Sequence, residues 1–286
     1  MDVAGAALAL LISLFWGISP STVKLAFEDI APIRLAVWRF LIGGVVIVLW
    51  GWRSGRLDGF RLRREEIRPL IVVGLILAVQ TGCINFGTAR TSAAHAAVIL
   101  NSYAVHIVVL AHFLVPGDRL TARRLGGILV AYAGILALFV RQPEGTGVTL
   151  LGDVLVFASS VLLAERTVYL ARAVHRLEPL KLLLAQIVIG TVCFTAYSGL
   201  FEGMPTRWTP RLLAIVAFQG VVLAGFNFVI NLWLLQRYRP SSLAAFYLTQ
   251  PVFGVIAATL MAGDRLTPEL IVASVAVTVG IALAGR

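Results

Sequence analysis

The chain has 286 residues, 59% of them hydrophobic and only 13% charged, with a formal net charge of +10 and a mean hydropathy of +0.92. Ordinary soluble domains carry roughly 45–50% apolar and about 25% charged residues. A water-soluble globule of this length could not hide so much apolar surface, so that class is excluded and the solvent must be lipid.

Ten apolar segments follow in chain order. Met1–Asp2 leads directly into Val3–Val23 with no basic stretch and no small-residue cleavage site, so the first run reads as a span and not a secretory signal. Ala31–Trp52 comes next and carries Arg34 and Arg39. Pro69–Ala89 and Thr91–Gly117 contain no Asp, Glu, Lys or Arg, and Leu125–Val140 is a shorter run. Leu150–Leu170 holds Asp153, Glu165 and Arg166. Leu182–Phe201, Leu212–Gln236 and Pro240–Gly263 are again free of charge, and Leu270–Gly285 closes the series. Most approach or exceed the ~20 residues that cross a bilayer as a helix. The expected class is therefore an all-α integral membrane protein with about ten transmembrane helices, forming a single domain over 1–286. Cys83 and Cys193 fall mid-span and read as buried thiols without a disulfide.

The positive charge sits in alternate loops. Arg53, Arg56, Arg61, Arg63, Arg64 and Arg68 lie between spans two and three, and further clusters follow spans four, six, eight and ten. These make 15 basic residues on one side against six on the other, Lys24, Arg90, Arg141, Arg207, Arg211 and Arg265. The positive-inside rule places the 15, and both termini, in the cytoplasm. Topology signalling and lipid contact account for this charge, and nucleic acid is not expected as a partner.

The pentapeptide GDRLT occurs at 117–121 and again at 263–267, an offset of 146. At that offset Gly74, Thr81 and Asn85 map onto Gly220, Asn227 and Asn231. At 147, Ser13, Pro32, Leu35 and Gly43 map onto Ser160, Pro179, Leu182 and Gly190. Each half (about 1–145 and about 146–286) is then a five-span unit. An odd number of crossings forces the second unit to enter the membrane from the opposite side, giving two inverted five-helix repeats, an architecture of secondary transporters. Within the phrase, Thr267-Pro268-Glu269 reads as a helix N-cap, an N1 proline and a first-turn acid, and Thr121 starts its span in the same way. Asp118 and Asp264 are expected to neutralise Arg119 and Arg265.

Four stretches carry a resemblance: LFWGISPSTVK, PIRLAVWRFLIGG, ARTSAAHAAVILNSY and YRPSSLAAFYLTQPVFGV, the last two each followed by GDRLT. Together they resemble the drug/metabolite transporter superfamily, in its EamA-like branch of ten-helix carriers that includes amino-acid exporters. That family often has proline in span four, where this chain reads SYAVHI; only span nine keeps it, as Pro251.

Polar residues recur at helical spacing inside the spans. They form stripes of Gly74, Thr81, Asn85 and Thr88; Gly220, Asn227 and Asn231; His95, Ser102 and His106; Tyr247, Gln250 and Gly254; and Ser13, Gly17, Pro20 and Lys24 with Trp16 beside them. Such stripes either line a cavity or seal helix–helix seams. The candidate substrate-binding set is Trp16, Gln80, Asn85, Tyr103, His106, Asn227, Tyr247 and Gln250, walled by spans three, four, eight and nine with one and six. Lys24 and Arg39 are candidate anchors for a carboxylate, and Glu165 for an amine or a proton; structural pairing of Arg39, Glu165 and Arg166 is the alternative. Asp153 reads as a helix-start acid. Gly17, Pro20, Gly225, Pro251 and Gly254 are candidate hinges.

The composition and the resemblance together imply an inner-membrane carrier exporting small metabolites, amino acids foremost, by alternating access. The expected carrier is a monomer in the lipid bilayer, without cofactor or metal. A rival is an exporter of cationic drugs that uses aromatic faces. An intramembrane enzyme is disfavoured by the lack of H-E-x-x-H, G-x-S-x-G or paired aspartates. A non-transporting scaffold would have no need of two matching halves.

Overall fold

The computed structural model describes all residues except 1, 58–60, 115–119, 141–147, 239–242, 244, 245, 248, 285 and 286. Among the described residues every regular element is helical. In order these are α1 (Val3–Ala26), α2 (Pro32–Arg53), α3 (Arg64–Ala89), α4 (Ala93–Asn101), α5 (Tyr103–Leu114), α6 (Ala122–Val140), α7 (Leu150–Ala173) and α8 (Pro179–Phe201). Then follow α9 (Pro210–Ala217), a π-helical stretch (Phe218–Phe226), α10 (Asn227–Arg237), α11 (Gln250–Ala257), a π turn (Ala258–Ala262) and α12 (Pro268–Ala284). Eight of the resulting rods, with α4–α5 and α9–α10 each counted as one, are long and apolar enough to cross a membrane; Gln250–Ala262 and Pro268–Leu283 are shorter apolar helices.

The helices begin where side chains can satisfy the free N–H groups of the first turn. Asp2, Ser92, Thr149 and Thr209 accept from the backbone N–H of Gly5, His95, Gly152 and Leu212. Thr267 and Thr121 cap α12 and α6 as their sequence implies. Two helix starts borrow a carboxylate from elsewhere in the chain. Glu202 accepts from the N–H groups of Ile33 and Arg34 at 2.7 and 2.8 Å, at the start of α2. Asp264 accepts from Ala94 N–H at 2.7 Å, at the start of α4.

That last bond corrects an expectation. Asp264 serves the positive end of α4 and is not the neutraliser of Arg265. The second GDRLT thus does three jobs: Gly263 takes a left-handed conformation (φ 70°) that ends the π turn, Asp264 caps α4, and Thr267 caps α12. Residues 117–119 of the first copy lie outside the described residues, Asp118 and Arg119 among them.

Small residues let the rods approach closely, as lipid-embedded packing requires. A Cβ placed on Gly74 would lie 2.6 Å from Ile189, and one on Gly220 would lie 2.5 Å from Ile42. Gly134 faces the carbonyl of Ala273, and Gly280 that of Gly127. Four apolar cores result, two of them large. One large core joins α2, α3, α8 and α10 around Phe40, Phe194 and Phe228. The other joins α4–α5, α6, α11 and α12. Helices α1 and α7 run between them, and large apolar side chains such as Val45, Val192, Leu260 and Val275 cover the outer surface. Ion pairs tie the halves of the chain together at the helix ends: Lys181 to Glu66 at 2.7 Å, Arg211 to Asp29 at 3.0 Å. Cys83 and Cys193 are free and half-buried.

Candidate functional site

Between the two large cores lies a cavity of about 1190 Å³, its open mouth included. Both halves of the chain wall it. The first half contributes Trp16 and Pro20 from α1, Arg39 and Phe40 from α2, Gln80, Thr81, Asn85 and Thr88 from α3, and Asn101 and Tyr103 from the α4–α5 junction. The second contributes Arg166 and Thr167 from α7, Gln186 from α8, Phe228 and Asn231 from α10, then Tyr247 and Gln250. Spans one, three, four, six, eight and nine enclose it as the sequence implies. Arg39 of span two, a candidate anchor, joins them, and so does span seven through Leu183 and Gln186.

The wall is a belt of amides and aromatic rings. Trp16 meets Tyr247 edge-on with ring centres 6.1 Å apart, and Tyr103 lies 6.3 Å from Tyr247 on its other flank. The Tyr247 hydroxyl donates to Asn231 Oδ1 at 2.8 Å. Asn85 donates to the Pro32 carbonyl at 2.7 Å, while its Oδ1 is buried without a partner. Gln80 donates to Ser159 at 2.9 Å, and Ser159 donates back to the Gln80 carbonyl at 3.0 Å. Pro20 denies the Trp16 carbonyl its intrahelical donor just where both residues face the cavity.

Two arginines share this space. The Arg39 guanidinium lies over the Phe40 ring at 5.4 Å, and Arg166 lies over Phe228 at 5.5 Å while donating to Gln186 at 3.2 Å. No acidic side chain pairs with either among the described residues, and the Nε of each is buried and unbonded.

Several expected site residues stand elsewhere. His106 is not in the cavity. It packs between Tyr132 and Phe157, ring centres 5.5 and 5.1 Å away. The cause is that the whole stripe His95, Ser102 and His106 faces α7. His95 bonds Asp153 at 3.1 Å, Ser102 donates to Ser160 at 3.1 Å, and His106 meets Phe157. Asp153 is indeed a first-turn acid of α7, but a fully buried one, also accepting from Thr91 at 2.5 Å. The next positions around the rod, Asn101 and Tyr103, carry the cavity wall. The rod breaks there without a proline. Asn101 and Ser102 bond back to Ala97 and Ile99 carbonyls, competing with the helical ladder at SYAVHI.

Asn227 is fully buried under α1, its amide 3.3 Å from the Ile12 carbonyl, so it serves a seam; its neighbour one turn on, Asn231, lines the cavity. Lys24 donates to the carbonyls of Thr88, Ala89 and Thr91, binding the negative end of α3. It is not among the residues that line the cavity. Glu165 is exposed on the opposite face of α7 from the cavity and pairs with neither arginine. Of the candidate hinges, Gly17, Gly225 and Gly254 are close-packing points: a Cβ on each would strike Gln250 and Phe253, Val46, or Ala97 within 2.8 Å. Pro251 occupies the first turn of α11, where a missing N–H costs nothing. Asn101, Arg166, Thr167, Gln186 and Asn231 line the cavity but stood outside the candidate set. The intramembrane charge of Arg166 was legible but was assigned a structural partner, and Gln186 is a single amide in an otherwise apolar run.

A multi-pass helical membrane protein with a polar cavity walled from both halves of its chain has the build of a membrane carrier. The sequence pattern of the EamA-like transporter family matches it twice, over residues 3–140 and 150–286. The chain belongs to that family. It is 24% identical over 290 residues to a probable amino-acid metabolite efflux pump of Escherichia coli, covering 96% of this chain and 92% of that one. It is 19% identical over 273 residues to the uncharacterized transporter YoaV of Bacillus subtilis, covering 94% and 92%. A solved crystal structure at 21% identity shares the fold, with a TM-score of 0.71 over 99% of this chain and 96% of its own.

Proposed function

We propose that the protein is an inner-membrane exporter of small metabolites, amino acids foremost, working by alternating access around the central cavity. The observation that carries this reading is the cavity itself: amides, phenols and an indole contributed by both halves, at the boundary between the two large, separately packed cores. A solute entering it loses hydration, and such walls return hydrogen bonds. Trp16, Gln80, Asn85, Tyr103, Tyr247 and Gln250 are the proposed binding residues, with Arg39 as carboxylate anchor. The efflux-pump name of the Escherichia coli relative supports the substrate class.

The proposed architecture is ten spans in two inverted repeats. Matched contacts support it. Gly74 packs on Ile189 and Gly220 on Ile42; since 74 corresponds to 220 and 42 to 189, one contact recurs with the halves exchanged. Gly134 on Ala273 and Gly280 on Gly127 repeat the relation at the 146-residue offset. The loop charge asymmetry supports cytoplasmic termini. Two arginines in the wall repel cations, which weighs against export of cationic drugs.

The test is counterflow of labelled amino acids in proteoliposomes, with cysteine labelling from outside at positions 145 and 203. Flux above empty liposomes and outside labelling at both positions are expected. Outside labelling at position 59 would overturn the topology, and absence of flux for every solute tried would overturn the carrier reading.

A further inference from the structure

We propose that the central cavity selects a net-anionic organic solute, a small dianion of the dicarboxylate or phosphomonoester kind, bound between Arg39 and Arg166. The inference rests on the carrier reading above and departs from its substrate order, ranking anionic metabolites ahead of neutral amino acids.

The argument is one of unmatched charge. Among the described residues the cavity wall holds two guanidinium groups and no carboxylate. Burying a cation without a counter-charge inside a membrane protein is costly, and a second like charge in the same space adds repulsion. The nearby acids are engaged elsewhere. Asp153 serves His95 and Thr91, Glu66 serves Lys181, Asp264 caps α4, and Glu165 faces outward. Each guanidinium has five N–H donors. Arg166 spends one on Gln186, and the Nε of both residues is buried with no acceptor. The two guanidinium groups lie over the Phe40 and Phe228 rings, 5.4 and 5.5 Å from the ring centres.

A solute with two negative groups completes this set. Carboxylate and phosphate both match the guanidinium fork in bidentate fashion. The unbonded Oδ1 of Asn85 offers an acceptor for the rest of the molecule. A zwitterion brings an ammonium that finds no carboxylate in the described wall. A cation meets only repulsion. The expected order of binding is dianion, monoanion, zwitterion, cation.

Thermal unfolding of the purified carrier in detergent, at fixed ionic strength, tests this with succinate, glycerol 3-phosphate, leucine and tetramethylammonium. Ligand binding raises the unfolding midpoint in proportion to occupancy. Succinate or glycerol 3-phosphate should raise it at concentrations where leucine and tetramethylammonium do nothing, and the stronger of the two identifies the anionic group. Arg39→Gln and Arg166→Gln should each weaken that dianion at least tenfold, about 1.4 kcal/mol. Arg39→Lys and Arg166→Lys should retain part of it. Unliganded, the Gln variants should melt no lower than the parent, because each removes an unpaired charge.

Leucine or tetramethylammonium binding as well as the dianions would overturn the proposal, and so would Gln variants that bind the dianion like the parent. Counterflow of the same solutes separates this inference from the one beneath it. If leucine moves while neither dianion binds or moves, the carrier stands and the anion site falls. If a dianion binds but nothing crosses, the site stands and the carrier reading falls.

Discussion

Gly254 offers a sharp test of how the cavity wall is held. A Cβ at this position would sit 2.5 Å from the Cβ of Ala97 and 3.2 Å from the Gly17 carbonyl, so α11 would collide with α4 and crowd α1 at once. Non-bonded carbons rest about 3.5–4.0 Å apart. The substitution Gly254→Ala therefore forces α11 and α4 to separate by roughly 1 Å, and neither contact atom is the end of a flexible side chain. Overpacking of this kind costs about 1–3 kcal/mol. At ~2–4 °C per kcal/mol for a domain of 150–250 residues, the unfolding midpoint should fall by about 2–12 °C. Ala97→Gly removes the methyl group that is struck. It costs up to ~1 kcal/mol by itself, because glycine weakens a helix. The double variant should nevertheless melt well above the sum of the two losses, a favourable coupling of ~1 kcal/mol or more. Melting of all four proteins in one detergent and at one scan rate measures the coupling. Strict additivity would refute the contact. A Gly254→Ala protein that melts normally but transports slowly would restore the hinge role that the packing argues against.

Three other outcomes are expected. Asp29 is buried against Arg211, Arg207 and Thr209, and the Arg211 hydrogen bond, foremost, holds its carboxyl below the ordinary carboxylate range. A depressed carboxyl contributes stability above the unfolded value of ~3.9 and loses it as pH falls further, so the gap in melting between the parent and Asp29→Asn should be open at pH 7 and narrow below about pH 4. A gap unchanged at pH 3 would refute it. Glu165→Gln should melt and transport like the parent, because the side chain is exposed and away from the cavity; lost flux in a normally folded variant would show a role the geometry does not provide. In a background lacking Cys83 and Cys193, single cysteines at Gln80, Tyr247 and Gln250 should react with a small water-soluble thiol reagent, whereas those at Asn227 and His106 should stay inert. The reverse pattern would place the cavity on the wrong faces of α10 and α5.

The rods themselves were legible because lipid imposes one demand on all of them, a run of apolar residues of fixed length. Their starts were legible too where Thr, Ser or Pro stands at the right offset. The second GDRLT was harder. Nothing local indicates that Asp264 reaches a helix start 170 residues away in sequence. The break at Ser102 was also hidden, since the family habit points to proline there. What breaks the ladder instead is a pair of short polar side chains bonding back to their own carbonyls.

The direction a polar stripe faces was the least legible feature, and the reason is physical. A membrane protein must satisfy polar groups at helix seams and must offer them to solute in a cavity, so both kinds of face look alike along one helix. The distinction lies in a second helix. His95 and Ser102 are seven residues apart, and so are Asp153 and Ser160, which they meet at a constant separation of 58. Polar residues answered at equal spacing on another rod form a seam, and His106 travels with that seam because it continues the same stripe. Among the described residues Arg39 and Arg166 have no acidic answer, and the Nε of each is buried without an acceptor. Satisfied polarity holds this bundle shut; unsatisfied polarity marks where it is built to receive something else. The arginines, read in sequence as candidates for pairing with Glu165, carry that mark more strongly than any amide in the wall, because a buried charge left unpaired costs more than a buried amide does.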